Sequence, residues 1–227
     1  MTVATSSGRQ RLLQQIASRV PHSASEDCVR VGVDGVDGAG KTVFADELAE
    51  QLHEGGRPVV RISVDEFHHP RVVRHRLGVD SPEGFWLNSF DLSSLRERVL
   101  EPLGPGGNRV YRSAAHDVAS DLGVEPREQT AAPGAVLVLD GLFLHRDELL
   151  GTWDLSIFLQ VPFTVSVARL AARDGGSADP AHPALHRYVQ GQHRYFEACS
   201  PWLRADLVVD NTDLDAPRLV PVPRRRW

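Results

Sequence analysis

The sequence predicts an α/β domain built on a mainly parallel sheet, and three observations carry that prediction. Apolar runs of strand length recur along the chain, and helical patterns alternate with them. Ala135-Val136-Leu137-Val138-Leu139 is apolar throughout rather than alternating, as a strand buried on both faces must be. The first run, Val29 to Val33, leads through a glycine-rich loop straight into an amphipathic helix pattern.

That loop, Gly35-Val36-Asp37-Gly38-Ala39-Gly40-Lys41-Thr42, fits G-x-x-x-x-G-K-[ST]. Its glycines let successive backbone N–H groups converge on one concavity, and the next helix adds its positive N-terminal end. These eight residues are the expected nucleotide-phosphate site, with Lys41 along the β- and γ-phosphates and Thr42 on Mg²⁺. Lys41 is also the one lysine beside 24 arginines, a compact ammonium where phosphates must be approached closely. A glycine-rich turn without a ligand is the competing reading.

Taken in order, residues 9–20 place Leu12, Leu13, Ile16 and Val20 on one helical face. Strand one (29–34), the loop and a helix over 42–53 follow, with Gly55-Gly56 ending the helix. Val59 to Val64 reads as strand two and closes on Asp65-Glu66-Phe67. Residues 68–90, rich in Arg, His and Pro, read as irregular; 92–100 reads as a short helix, and 108–130 shows no period. The run 135–139 is strand three and 155–161 strand four, with a helix through Arg173. A loop over 175–183, a helix over 184–199 and a last strand over 206–209 complete the pattern. The tail 217–227, proline- and arginine-rich, reads as mobile.

The chain of 227 residues is long enough for a substantial core without disulfides. Cys28 and Cys199 form no C-x-x-C pair, which points to a reducing compartment. The formal charge of −5 argues against a general nucleic-acid binder. No run is long enough to cross a membrane, and the N-terminal residues have no signal-peptide core, so the expected location is cytoplasmic.

Ligands of open α/β sheets sit beyond the carboxyl ends of the strands. Asp65 ends strand two and Asp140 ends strand three, so both carboxylates should face the loop. One can serve Mg²⁺ while the other takes the proton of an acceptor hydroxyl. The competing reading of each is a strand or turn cap.

Over roughly residues 29–212 the chain resembles the uridine kinase and phosphoribulokinase branch of P-loop kinases. Ser63-Val64-Asp65-Glu66-Phe67 looks like its S-x-D-x-F segment, and Val79-Asp80-Ser81-Pro82-Glu83-Gly84-Phe85 is similar to its F-D-H-P-D-A-F. Tyr111 and His116 keep a Y-x-x-x-x-H spacing, and Val138 to Leu142 resembles V-x-E-G-I with Asp140 for Glu. Arg169 and Arg173 resemble its lid arginines, and Tyr188 to Asn211 its closing helix and strand.

The resemblance implies a five-stranded parallel sheet in the order 2-3-1-4-5, flanked by helices. It makes Asp65 the catalytic base, Asp80 a ribose ligand, and Tyr111 with His116 readers of a base. Arg169 and Arg173 become parts of a lid over about 169–187, within a substrate region and lid spanning 65–130 and 169–187. The implied domain layout is an N-terminal helix segment (1–28), a kinase domain (29–212) and a tail (213–227). Arg112-Ser113, Val118 and His68 depart from the branch's pattern, and no third lid arginine occurs near Gly175-Gly176-Ser177.

The expected protein is an ATP- and Mg²⁺-dependent kinase, with Lys41, Asp65, Arg169 and Arg173 catalytic and Thr42 with Asp140 on the metal. Its acceptor is read as a small nucleoside-like molecule, uridine or cytidine first, with no nucleic acid or membrane partner; a homo-oligomer is left open. Two alternatives stand beside it: a kinase for an anionic acceptor, pantothenate-like or a sugar phosphate, and a non-catalytic nucleotide-gated regulator. Arg71, Arg74, His75 and Arg76 separate the kinase readings, as a solvated run or an anion clamp. His182 and His186 lack the partners of a metal site. Trp86, Trp153 and Trp202 are assigned to packing.

Overall fold

The structure, a computed structural model, describes residues 8–23 and 26–221. The readings made for the first seven residues and for 222–227 lie outside the described residues. The strands are β1 (Val29–Gly35), β2 (Val59–Ser63), β3 (Val110–Tyr111), β4 (His116–Asp117), β5 (Leu122–Gly123), β6 (Gln129–Thr130), β7 (Val136–Gly141), β8 (Leu155–Gln160), β9 (Leu207–Asp210) and β10 (Arg218–Val220). The helices are α1 (Gly8–Ala17), α2 (Lys41–Glu54), α3 (Arg71–Arg74), α4 (Pro82–Asn88), α5 (Leu92–Leu95), α6 (Phe163–Asp174), α7 (His186–Cys199) and α8 (Pro201–Arg204).

Among the described residues six strands form the main sheet, in the order β2-β7-β1-β8-β9-β10. The first five run parallel, with Val31 opposite Val138 on one side of β1 and Leu155 on the other. β10 runs antiparallel to β9, Leu219 facing Val209. The tail reading is corrected here: residues 218–220 form an edge strand. Their own pattern is too short to announce it, and β9 supplies the ladder partners.

Because side chains alternate across a strand, the central runs feed two cores. Val31, Val33, Val136 and Val138 face α1 and α2, meeting Leu12, Leu13, Ile16, Phe44, Leu48 and Leu52. Leu137 and Leu139 face the opposite way, onto Phe67, Phe85, Leu95, Phe143 and Tyr195. Burying a side chain such as Phe44 or Leu139, both fully enclosed, contributes about 1.5–3 kcal/mol.

Two stretches read as featureless carry structure. Residues 68–90 contain α3 and α4; α4 starts where the Ser81 hydroxyl accepts from the Gly84 N–H and Pro82 opens the first turn. The short α4 is held by α7, which approaches so closely at Gly191 that a Cβ there would meet the Phe85 ring at 2.7 Å. Residues 108–130 form two small antiparallel pairs, β3 with β6 and β4 with β5. Strands of two residues leave no periodicity to read. The predicted helix over 92–100 is α5 continued by a wider π turn, Arg96–Leu100.

Cys28 and Cys199 are free and buried. Among the described residues no helix is long and apolar enough to cross a membrane. Trp153 donates its indole N–H to the Leu144 carbonyl, and Trp86 and Trp202 lie edge-on or tilted against neighbouring rings.

Candidate active site

A cleft of about 400 Å³ opens at the carboxyl ends of β1, β2 and β7. One half is the glycine-rich loop, represented by Asp37, Gly38, Gly40, Lys41 and Thr42; the other holds Asp65, His68, Arg74, Arg187 and Tyr188. Asp140 and Arg173 line it as well.

The loop is shaped by backbone that only glycine tolerates. Gly38 has φ 74°, and a Cβ there would lie 2.4 Å from the Ser166 carbonyl of α6. Buried side chains brace the loop from two sides. Asn211, fully buried after β9, donates to the Ala39 carbonyl at 2.8 Å and accepts from Arg9 of α1. Gln192 of α7, nearly buried, accepts the Asp37 N–H at 2.7 Å. Lys41 arches back so that its ammonium donates to the Val36 carbonyl at 3.0 Å, inside the loop.

At the first turn of α2 the Thr42 hydroxyl donates to Asp140 Oδ2 at 2.9 Å. The other carboxylate oxygen of this buried Asp lies 2.8 Å from the Arg61 guanidinium. A hydroxyl and a carboxylate side by side are hard oxygen donors, and they suit Mg²⁺, which takes one or two protein carboxylates and completes its shell with phosphates and water. The residues therefore fit the metal expected there.

Asp65 follows β2 in the single turn Val64–Phe67, whose start is capped by Ser63 accepting the Asp65 N–H. Its carboxyl is open to the cleft, yet the crowded walls desolvate it and raise its pKa. His68 and Lys41 pull in the opposite direction, while Asp140 and Asp37 raise it further. The His68 ring Nδ1 lies 2.8 Å from the Asp65 carbonyl and packs against Phe90, and desolvation lowers its pKa.

Other expected site residues lie elsewhere. Asp80 is exposed and outside the cleft lining. Tyr111, on β3, borders a separate polar hollow and donates to Gln129 at 3.3 Å. His116, on β4, is buried 3.4 Å from Asp121 and does not line the cleft. Arg169 turns away as well, donating to the Asn211 and Thr212 carbonyls, whereas Arg173 lines the cleft beside Asp174. The basic run divides: Arg74 and His75 face the cleft, while Arg71 and Arg76 are exposed.

A buried network under the loop escaped sequence reading. Asp34, fully enclosed at the end of β1, accepts from the Tyr195 hydroxyl, the Gly35 N–H and the backbone N–H of His145, whose ring Nδ1 is 2.8 Å away. The Tyr195 phenol is pushed well above its ordinary pKa by burial and by the Asp34 charge. A carboxylate inside an apolar strand was the available signal.

No family model matches the chain. It is 25% identical over 194 residues to a uridine kinase of Ligilactobacillus salivarius, covering 76% of this chain and 84% of that protein. It is 27% identical over 179 residues to uridine kinase-like protein 4 of Arabidopsis thaliana, covering 74% of this chain but only 35% of that longer protein. Among solved structures, one described as a possible uridine kinase from Bacillus stearothermophilus superimposes with TM-score 0.66 at 20% identity, covering 88% of this chain and 96% of that one. Phosphoribulokinase from Rhodobacter spheroides superimposes with TM-score 0.53 at 16% identity, over 82% and 71% of the two chains. With a phosphate loop in the first strand–helix turn and a carboxylate facing it from the next strand, the chain has the P-loop kinase fold and is similar to uridine kinases over about three quarters of its length.

Proposed function

We propose that the protein is an ATP- and Mg²⁺-dependent kinase that phosphorylates a hydroxyl of a small acceptor. The observation that carries this reading is the position of Asp65 in one cleft with Lys41, Thr42 and Asp140, close enough that Lys41 and Asp140 both act on its charge. Bound Mg²⁺–ATP supplies the phosphoryl group. Thr42 and Asp140 would hold the metal, and the backbone N–H groups of residues 36–42 with Lys41 would hold the phosphates.

Asp65 takes the proton of the acceptor hydroxyl and aims its oxygen. A desolvated carboxylate is a stronger base than one in water, which suits that task. Arg173 adds positive charge at the cleft mouth and helps to exclude water. The relatives' names suggest uridine as the acceptor. The residues that would read a nucleoside, Asp80, Tyr111 and His116, lie outside the cleft lining, so the acceptor class rests on the chemistry of the cleft itself.

Acceptor-dependent ADP release tests the reading. Wild type should release ADP only when a small alcohol acceptor is present, and Lys41→Ala should abolish this without unfolding the chain. Losing such a charge contact to the transferred group removes about 10²–10³ in kcat. Slow hydrolysis that no alcohol changes would instead favour a nucleotide-gated regulator.

A further inference from the structure

Arg187, the second residue of α7, lines the acceptor half of the cleft and is only 8% exposed. Its two terminal nitrogens donate to carbonyls, those of Val79 and Arg74, and its buried Nε–H has no partner. Among the described residues no carboxylate forms an ion pair with it. The rings of Phe85 and Tyr188, 5.8 and 5.9 Å from the guanidinium, offset part of its charge. A buried cation without a counter-ion is costly, and protein interiors pair such charges.

The neighbouring wall deepens the imbalance. Arg74, its side chain 14% exposed, donates to the His69 carbonyl, and among the described residues its one carboxylate is Asp121 at 3.5 Å, which also faces His116. His75 lies below its ordinary pKa, through desolvation first and then through Arg187, Arg74 and Arg71. The carboxylate within this half is Asp65, which the kinase reading reserves for the hydroxyl proton. A neutral nucleoside would bring hydroxyls and amides here and leave Arg187 uncompensated. The cleft of about 400 Å³ must also admit the donor's phosphates, so the acceptor is small.

We propose that the acceptor is a small alcohol bearing a carboxylate or phosphate, with the anion held by Arg187 and Arg74 and the hydroxyl presented to Asp65. This rests on the kinase reading above and names the acceptor class for it.

Calorimetric binding to protein saturated with Mg²⁺ and a non-hydrolysable ATP analogue tests it with matched probes: ribose 5-phosphate against ribose, pantothenate against its alcohol panthenol, and uridine. The charged member of at least one pair should bind about ten- to hundredfold more tightly, the worth of a charge-assisted hydrogen bond. Which pair responds separates phosphate from carboxylate. R187Q should remove the preference, R187K should restore part of it, and added salt should weaken binding more in wild type than in R187Q. Because Arg187 also holds the Val79 carbonyl, R74Q serves as a second variant, with unchanged nucleotide-analogue affinity as the check on folding.

Equal binding of charged and neutral partners in both pairs would overturn the proposal. So would a preference that survives R187Q and R74Q, or uridine binding most tightly and indifferent to both. ADP release keeps the two readings apart. Arg187-dependent anion binding without turnover would sink the kinase reading and keep the anion site, whereas turnover with uridine alone would do the reverse.

Discussion

Thr42 and Asp140 meet at 2.9 Å, hydroxyl donating to carboxylate, although 98 residues separate them in the chain. The contact arises because β7 lies beside β1 and ends level with the first turn of α2. Parallel pairing thus brings a strand-end carboxylate to the helix that follows the loop.

If this pair holds Mg²⁺, Thr42→Ala or Asp140→Asn should raise the Mg²⁺ concentration needed for nucleotide binding by about tenfold or more, about 1.4 kcal/mol. Asp140→Asn should have the larger effect, because it also removes the charge that Arg61 faces at 2.8 Å. A magnesium titration followed by nucleotide fluorescence checks this, and an unchanged midpoint in both variants would move the metal elsewhere.

Asp65→Asn should lower kcat about a hundredfold or more, the scale of losing a general base, while nucleotide affinity stays within about twofold. Since desolvation raises the Asp65 pKa, the acidic limb of kcat/KM should lie above the ordinary carboxylate value of about 3.9. The same shift has a stability consequence. Between the unfolded pKa and the raised folded one, the native chain holds a proton that the unfolded chain has released, so stability falls as pH rises through that window. Thermal unfolding across pH should show this decline in wild type and lose its Asp65 component in Asp65→Asn.

Asn211→Ala would leave the Ala39 carbonyl without its buried donor and strip a partner from Arg9. Denaturant unfolding should report a loss of about 1–3 kcal/mol, the cost of an unsatisfied buried polar group. Nucleotide KM should rise as well, because the carbonyl belongs to the phosphate loop. A destabilised variant with unchanged nucleotide KM would make Asn211 a support of the fold alone.

Tyr111→Ala should leave acceptor KM within about threefold, as expected of a half-exposed side chain that makes no cleft contact. A large rise in acceptor KM with kcat held would bring the β3–β6 pair into the acceptor site and restore the nucleoside reading.

Much of the site was legible because its chemistry is local. The phosphate loop is eight consecutive residues whose glycines and lysine announce both backbone shape and ligand. Asp65 and Asp140 were legible as acidic ends of apolar runs, since in a parallel sheet the end of a run is also the edge of the ligand cleft. Arg187, Gln192, Asn211 and Asp34 were not. Each lies in a segment whose local pattern says only helix or strand, and its partner is contributed by a distant element.

By itself, then, the amino-acid sequence determined the parallel α/β core, the phosphate loop and the two facing carboxylates, because burial on both faces, glycine backbone freedom and strand ends are properties of short segments. Tertiary structure decided which arginines enter the cleft. Arg71, Arg74, Arg76 and Arg187 are alike as residues, and the packing of α7 across α4 separates them, burying Arg187 and leaving Arg71 and Arg76 in solvent. The physical reason is that a charge acquires its meaning from its surroundings: the same guanidinium is inexpensive in water and demands a counter-ion once a helix closes over it.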